Sequence, residues 1–397
     1  MSKNPTNFKI TDSTVGWSSA DFDDVFVRKD CFLEGGLWLW GDGNRGKLGN
    51  NSTANQSSPV QTVSGGNNWR SVSLGTLHSA AIKTDGSLWL WGGGNRGQLG
   101  NNSTTDRSSP VQTVSGGNNW RSVSLGGTHS AAIKTDGSLW LWGRSFCGAI
   151  GDNSTTSRSS PVQTVSGGTN WRSVSLGAYH SAAIKTDGSL WLWGSNLLGR
   201  LGDNSTTSQS SPVQTVSGGT NWRSVSLGAY HSAAIKTDGS LWLWGCNGYG
   251  RLGDNSLTDH SSPVQTVSGG TNWRSLSLSK CAHSAAIKTD GSLWLWGNNG
   301  DTRLGNGLGP TVNQSSPVQT VSGGTNWRSV SLGNGHSAAI KTDGSLWLWG
   351  SNNDGALGLG ISASSQSSPV QTISGGNNWR SINLGSSNSA AIREDCW

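Results

Sequence analysis

Six histidines recur at nearly constant spacing, and each is followed by the same Ser-Ala-Ala-Ile segment. They are His78, His129, His180, His231, His283 and His336. A ring of imidazoles is one way to bind a metal ion or an anion. Asn388, which occupies the seventh position, is a poor metal ligand but can make similar hydrogen bonds. The pattern therefore favours a structural role, in which each side chain bonds a neighbouring backbone group and fixes one structural unit.

Residue types that usually carry catalysis are scarce or recur in every copy of the repeat. The only glutamates, Glu34 and Glu394, do not suggest a carboxylate pair for glycoside chemistry. Ser, His and Asp all recur as scaffold, so no single triad stands out. The glycine-rich loops lack the Lys-Ser/Thr ending of a P-loop, and the five cysteines show no Cys-x-x-Cys spacing. We therefore predict a protein that is not an enzyme and has no metal site and no cofactor.

The elements that hold these residues follow a sevenfold repeat. The string LWLWG begins at Leu37, Leu88, Leu139, Leu190, Leu241, Leu293 and Leu346. Each copy contributes three Trp, which accounts for all but two of the 23 Trp in this 397-residue chain. With 59 Gly and only 13% charged residues, the composition fits neither a helical protein nor a disordered one. A repeat of roughly 50 residues indicates a propeller or another repeat architecture.

Each repeat divides into four short strands. In the first complete copy we predict strands over 70–74, 79–83, 87–91 and 110–114, with a tight turn at Gly86 and Pro110 at the start of the fourth strand. Leu and Trp alternate along the third strand, so both of its sides are apolar and must be buried. A blade packed between two neighbours meets that requirement. The sequence thus predicts an all-β fold, a seven-bladed β-propeller of four-stranded blades with Trp in the blade-to-blade core.

The two ends of the repeat region complete one another. The last copy stops after its second strand, in 389–397, and the first LWLWG is not preceded by the usual turn. We predict that the N- and C-terminal segments close the ring in one composite blade, which removes an exposed strand edge. The segment 25–31 is similar to 391–396 and could add a strand at this seam. Cys31 and Cys396 would then lie close, either as a disulfide or as free thiols.

The repeat unit SLGxxHSAAIKTDGSLWLWG, followed by G-x-L-G and SSPVQ, resembles the regulator of chromosome condensation repeat over about residues 37–393. The resemblance implies a seven-bladed propeller and, for most members, action through protein–protein contact. It does not fix the function. The photoreceptor of this family has a G-W-R-H-T motif before the second strand, and no copy here has Trp at that place. Its nucleotide-exchange factor has a basic nuclear tail, which this chain lacks, so neither activity is expected.

Variation among the copies falls on one face of the predicted propeller. The KTDGS turns and the SGG(N/T)NWR connections hardly vary, and we call the face they form the constant face. The connections between first and second strands and between third and fourth strands vary among the copies, and they form the variable face. Drift in tolerant loops explains this pattern. A binding surface on a constant scaffold explains it equally.

Aromatic residues favour the binding interpretation. All three Tyr and the only Phe within the repeats lie in variable segments of adjacent copies. An apolar, aromatic cluster on a polar rim is typical of a partner-binding site. The predicted partner-binding face consists of Phe146, Tyr179, Leu197, Leu198, Tyr230, Tyr249, Arg45 and Arg96.

Charge on the constant face is a property of the repeat. Seven Arg and six Lys there outweigh six Asp by seven charges, and the net charge of the whole chain is +6. Nucleic-acid binding favours a concentrated basic stripe with stacking groups, so we expect no nucleic-acid partner. We expect these Arg and Lys to pair with turn Asp or to cap carbonyls, with contact to an acidic partner as the alternative.

Residues 1–24 form a polar segment that cannot build a core, and we take 25–397 as the propeller. Phe8, Trp17 and Phe22 are scattered through the segment 1–24. It is either a strap over the first blade or an anchoring arm that binds a neighbouring subunit. The stretch 20–41 is similar to the leaders of propeller-repeat structural proteins of marine bacteriophages.

Three functions follow from these patterns. The first is a non-enzymatic virion structural protein, a decoration, tail or fibre component held on other virion subunits by the arm. Its variable face would bind a host-surface protein or glycan. The alternatives are a soluble, cytoplasmic propeller that binds one protein as regulator or inhibitor, and a carbohydrate-binding module. The longest apolar run is four residues, so no membrane insertion is expected.

Overall fold

The computed structural model describes residues 35–360 and 364–394. Within these residues the chain forms seven four-stranded antiparallel sheets arranged as blades of a propeller, which confirms the predicted fold. Blade 1 combines strands from both ends of the chain, and blades 2 to 7 follow in chain order.

The first strands of the blades begin at a buried Trp and the second strands begin at His, or at Asn388 in blade 1. The first strands are β3 (Trp69–Leu74), β7 (Trp120–Leu125), β11 (Trp171–Leu176), β15 (Trp222–Leu227), β19 (Trp273–Leu278), β23 (Trp327–Leu332) and β27 (Trp379–Leu384). The second strands are β4 (His78–Lys83), β8 (His129–Lys134), β12 (His180–Lys185), β16 (His231–Lys236), β20 (His283–Lys288), β24 (His336–Lys341) and β28 (Asn388–Glu394).

The third strands hold the LWLWG strings and the fourth strands hold the SSPVQ strings. The third strands are β1 (Gly35–Gly41), β5 (Leu88–Gly92), β9 (Leu139–Gly143), β13 (Leu190–Gly194), β17 (Leu241–Gly245), β21 (Leu293–Gly297) and β25 (Leu346–Gly350). The fourth strands are β2 (Gln56–Gln61), β6 (Arg107–Gln112), β10 (Arg158–Gln163), β14 (Gln209–Gln214), β18 (His260–Gln265), β22 (Gln314–Gln319) and β26 (Gln366–Gln371).

The fourth strand begins three residues and ends two residues earlier than predicted. It spans Arg107–Gln112, so Pro110 lies inside it and not at its start. Gly92 pairs with Arg107 and Leu90 with Val111, with an irregular register between these pairs. Pro is tolerated there because β6 is the edge strand and the irregularity already interrupts its ladder.

The blade-to-blade core follows the alternation in the third strands. Leu88 and Leu90 of blade 2 pack with Trp120 and Trp142 of blade 3. Trp91, on the other side of the same strand, belongs to the core shared with blade 1. The two Trp of each junction meet at interplanar angles of 58 to 62°, with ring centroids 6.3 Å apart for Trp120 and Trp142. Stacking of each blade between two neighbours thus buries both sides of the strand.

The first strands line the central channel, because each contacts the first strands of both neighbouring blades around the ring. They run from the constant face to the variable face. On the variable face, Arg200 Nη1 of a third–fourth connection donates to Ala229 O of a first–second connection. On the constant face, Thr84 N of a KTDGS turn donates to Asn68 O of the preceding connection. The two predicted faces are therefore confirmed.

The ring closes in blade 1, as predicted. Strand β28 pairs with β1 over seven residue pairs, from Gly35–Glu394 to Gly41–Asn388. Complete blades make five such pairs before a tight turn joins the two strands. The longer ladder replaces that covalent turn. Cys31, Cys396, the boundary at residue 25 and the arm residues Phe8, Trp17 and Phe22 lie outside the described residues, and the expectations for them stay predictions.

Candidate partner-binding face

Phe146 and Tyr179 form one half of an aromatic cluster on the variable face. Phe146 opens a 3-10 turn in blade 3, and Tyr179 lies in the first–second connection of blade 4. Their ring centroids lie 5.3 Å apart, and the guanidinium carbon of Arg144 lies 5.1 Å from the Phe146 ring. Phe146 is 42% exposed and Tyr179 is 36% exposed, so both present apolar surface to solvent.

Tyr230 and Tyr249 form the other half. Both are exposed on blade 5. The guanidinium carbons of Arg200 and Arg251 lie 5.4 and 5.9 Å from the Tyr230 ring, and Arg251 lies 5.5 Å from Tyr249. Aromatic rings and guanidiniums thus alternate across blades 4 and 5, an arrangement that favours cation–π contact.

Arg200 and Arg251 are buried beneath this surface. They are 1% and 4% exposed, and neither has a carboxylate partner within residues 35–360 and 364–394. Arg200 donates to Leu197 O and Ala229 O, while Nε of Arg251 is buried without a partner. Burial lowers the pKa of Arg200. Two desolvated cations without counter-charge make this region attractive to an acidic group.

Leu197 and Leu198 extend the apolar surface at a cost in backbone strain. They lie in the 3-10 turn Leu197–Gly199 and are 61% and 36% exposed. Leu198 has φ of 63°, in the left-handed region that a branched side chain disfavours. Cys147 and Arg45 take similar conformations in equivalent turns. Strained residues often accompany binding loops.

The structure brings six of the eight predicted face residues into blades 3 to 5 and leaves the two arginines elsewhere. Arg45 lies on blade 1 and forms an ion pair with Asp106 at 3.2 Å. Arg96 lies on blade 2 and is exposed. Among the described residues, no ring contact joins either one to the aromatic cluster. Sequence reasoning missed Arg200 and Arg251. In their copies Arg stands directly before Leu-Gly, whereas other copies have Lys, Gln or Ala at that position, and this difference was a signal that could have found them.

Lys280 crosses the central channel. It lies in the first–second connection of blade 6, which is one residue longer than its counterparts. Its ammonium donates to the backbone oxygen of Leu74, at the end of the first strand of blade 2. Blades 6 and 2 are not neighbours in the ring, so the side chain spans the channel. Burial, and next the charge of Lys47, lower the pKa of Lys280 to about 7.

The six histidines link neighbouring blades through serine hydroxyls, where we expected backbone groups, and His129 also bonds the backbone of His180. His78 Nε2 lies 2.8 Å from Ser130 Oγ, and Ser130 Oγ donates to Gln98 O. The hydroxyl is therefore left as an acceptor, and the imidazole donates from Nε2. Burial lowers the pKa of all six and keeps them neutral near pH 7.

Within the described residues, no group of three or more His, Cys, Asp and Glu is arranged to hold a metal ion.

On the constant face, six of the seven arginines cap carbonyls of the next blade as expected. Among the described residues, the lysines of the KTDGS turns neither pair with the turn Asp nor cap carbonyls. Lys134 lies 5.0 and 4.8 Å from the ring centroids of Trp120 and Trp140. Asp136 accepts hydrogen bonds from the backbone and hydroxyl of Ser138. Local turn geometry satisfies the carboxylate, so the ammonium lies over the aromatic rings.

The fold is that of a β-propeller scaffold with one constant and one variable face. A family model described as RCC1-like domain matches residues 29–282 and 122–396. The chain belongs to this family. No helix in the described part of the chain is long and apolar enough to span a membrane.

Relatives and solved structures agree with this assignment. The chain is 30% identical to the ultraviolet-B receptor UVR8 of Arabidopsis thaliana over 81% of this chain and 74% of that protein. It is 32% identical to the mitochondrial RCC1 domain-containing protein RUG3 of the same plant, over 77% and 72%. Prp20p of Saccharomyces cerevisiae, described with its binding to Gsp1p and histones, has a TM-score of 0.78 at 17% identity, over 92% of this chain and 93% of that chain.

The likeness to UVR8 does not extend to the motif expected for photoreception. Tyr179 and Tyr230 precede the second strands of blades 4 and 5, and none of the seven copies has Trp in that connection. None of the relatives named above is a virion protein. The comparisons therefore give the virion hypothesis no support and fit the alternative of a protein-binding regulator better.

Proposed function

We propose that this chain is a non-catalytic regulator that binds a protein partner on the variable face of blades 3 to 5. The observation that carries the proposal is the exposed cluster of Phe146, Tyr179, Tyr230 and Tyr249 beside two buried arginines. Interface centres are enriched in aromatic residues and Arg, which act as anchors when a partner excludes water from them. This proposal accords with the cytoplasmic alternative, and the virion role and its host-surface ligand are no part of it.

The electrostatics of the face indicate the chemistry of the partner. Arg200 and Arg251 have no carboxylate partner among the described residues, and an acidic side chain brought close to them would supply the missing counter-charge. We therefore expect a partner surface that combines apolar side chains for the aromatic cluster with at least one Asp or Glu near Tyr230.

The test is affinity capture from source-cell extract, followed by calorimetry with the purified partner. The test variant combines Tyr179→Ser, Tyr230→Ser and Tyr249→Ser. We expect its affinity to fall about 100-fold, because three anchors are lost. The matched control combines Val165→Ser, Val216→Ser and Val267→Ser, which removes exposed apolar residues from the fourth–first connections of blades 3 to 5.

The control variant is expected to bind within about threefold of wild type, because its residues lie outside the variable face. Equal binding by the wild-type chain and the tyrosine variant would contradict the proposal. Retention of a glycan in place of a protein would favour the carbohydrate-binding alternative.

A further inference from the structure

The constant face has one arginine in each blade at the mouth of the central channel. Each is the second residue of a first strand, directly after the buried Trp. Because the first strands line the channel, the seven side chains form a ring at one of its mouths. The arginine ring consists of Arg70, Arg121, Arg172, Arg223, Arg274, Arg328 and Arg380.

Six of the seven guanidiniums are held by the backbone of the next blade. Nη2 of Arg121 donates to Trp171 O at 2.7 Å and to Arg172 O at 2.9 Å. The same pair of bonds recurs at Arg70, Arg172, Arg223, Arg274 and Arg328. These bonds occupy both Nη2 protons and fix each side chain along the rim. In these six arginines, Nε and Nη1 have no hydrogen-bond partner among the described residues, and five of the side chains are exposed.

The ring has no neutralising carboxylate within residues 35–360 and 364–394, since none of the ion pairs there includes a ring arginine. The aspartates of this face are engaged in their own turns, where Asp136 Oδ1 accepts bonds of 2.8 and 2.6 Å from Ser138. The same two bonds recur in the other five KTDGS turns. The fields of neighbouring guanidiniums therefore add at the channel mouth.

We infer that the arginine ring binds a compact multivalent phosphate. Guanidinium donors match phosphate oxygens in charge and geometry. Donors already fixed by backbone bonds lose little conformational freedom when a ligand arrives. Several such donors surround one axis, so a ligand with closely spaced phosphates contacts more than one arginine at once. The ring lies on the face opposite the proposed partner surface, so this inference does not depend on the proposed function.

Two other classes of polyanion fit the ring less well. Proteins that bind single-stranded nucleic acid offer exposed aromatic faces for base stacking. On this face Lys134 lies over the rings of Trp120 and Trp140, and the same arrangement recurs in the other copies that carry Lys. An extended acidic peptide points successive carboxylates in opposite directions, so fewer of them reach donors that surround one axis.

Calorimetric titration of the full chain with inorganic tripolyphosphate tests the inference. We expect micromolar binding that weakens with salt and is at least about 20-fold tighter than binding of orthophosphate. The variant with Arg121→Gln, Arg172→Gln and Arg223→Gln is expected to lose at least about 20-fold in affinity. The matched control combines Lys134→Gln, Lys185→Gln and Lys236→Gln, which removes the same charge from the same blades, and should lose less than about threefold.

Three results would overturn the inference. They are no binding of tripolyphosphate at millimolar concentration, equal affinity for orthophosphate, and equal losses in the two triple variants. Tighter binding of a polyglutamate peptide or of a single-stranded oligonucleotide would also overturn it, and would assign the ring to that class.

If circular dichroism shows that the triple arginine variant does not fold, the single variant Arg172→Lys replaces it, because it keeps the charge and loses the planar fork. That variant should weaken tripolyphosphate binding about threefold, and unchanged affinity would contradict the inference.

Discussion

The junction between blades 1 and 2 differs from the other six junctions in its polar links. Between blades 2 and 3, His78 bonds Ser130 at 2.8 Å, and Arg70 caps the carbonyl of Trp120 at 2.7 Å. Equivalent bonds recur at the next five junctions, up to the one between blades 7 and 1.

Between blades 1 and 2, Asn388 and Arg380 take these two places. Both amide atoms of Asn388 and Nη1 of Arg380 are buried without a hydrogen-bond partner among the described residues. Other polar links persist, because Leu74 N donates to Asn383 Oδ1 at 2.7 Å and Ser79 Oγ donates to Lys47 O at 2.7 Å. The apolar core of this junction, which includes Trp69 and Trp91, matches the cores of the others.

The comparison separates two contributions to ring closure. Apolar packing is the same at every junction, so it sets the blade-to-blade geometry. The histidine and arginine links are dispensable at one junction, so they add stability locally and do not define the fold. Blade 1 itself is held by the seven-pair ladder between β1 and β28. Predictions about the polar links therefore test how far the six regular junctions depend on them.

The largest expected effect is acid unfolding through the six histidines. Burial lowers the pKa of His129 and His336 from 6.5 to about 4 and lowers the pKa of the other four as well. In the unfolded chain each imidazole protonates near pH 6.5, while in the folded chain it stays neutral. Stability is therefore complete above pH 6.5 and is lost as the pH falls towards 4. At pH 5, His129 and His336 should each cost about 2 kcal/mol.

Urea unfolding midpoints at pH 7, 6 and 5 measure this loss. A double variant with His129→Asn and His336→Asn serves as control and should show a flatter pH dependence. Midpoints that do not change between pH 7 and pH 5 would show that the buried imidazoles do not control stability.

The second prediction converts a regular junction into the exceptional type. His180→Asn removes the 2.9 Å bond to Ser232 Oγ and leaves unfilled space, and should lower the free energy of unfolding by about 2–3 kcal/mol. Asn388→Ala is the matched control, since no side-chain bond is lost there, and should cost less than about 1 kcal/mol. Urea unfolding at pH 7 measures both. Equal costs at the two positions would remove the distinction between the junctions.

The third prediction performs the reverse exchange. Asn388→His should place an Nε2 donor near Ser79 Oγ, which already donates to Lys47 O and so can accept. We expect a gain of about 1 kcal/mol in the free energy of unfolding. The same substitution in a Ser79→Ala background should give no gain. A loss of stability in both backgrounds would mean that the imidazole does not fit at this junction.

The sequence was sufficient for the ring, the composite blade and the two faces, because strand pairing and burial follow from local alternation repeated seven times. It was insufficient for the fourth strand, whose Ser-Ser-Pro start carries no apolar signal, and for the serine partners of the histidines. Each such bond joins two copies of the repeat, so no pattern within one copy reveals it.

The candidate site shows the same limit. The exposed aromatic residues were found because they differ in type from their surroundings. Arg200 and Arg251 were missed, since their burial depends on contacts between neighbouring copies. The bond of Lys280 to Leu74 joins residues 206 positions apart. Nothing near Lys280 in the sequence indicates that it crosses the channel.

The smallest expected effect concerns Lys280, which reaches the exceptional junction from across the ring. Its acceptor, Leu74, is the residue whose amide bonds Asn383 at that junction, so Lys280 supports the place where the histidine link is missing.

The pKa of Lys280 is about 7 in the folded chain and 10.5 in the unfolded chain. Above pH 7 the unfolded chain holds a proton that the folded chain has released, so stability rises with pH up to about 10.5. Because the side chain is only half-buried, we expect a rise of about 1 kcal/mol or less between pH 7 and pH 9. Lys280→Met should flatten this rise, and Lys134→Met, with the same loss of charge on the constant face, is the control. Equal slopes in wild type and Lys280→Met would show that the ammonium does not titrate within the channel, and the exceptional junction would then draw no pH-dependent support from Lys280.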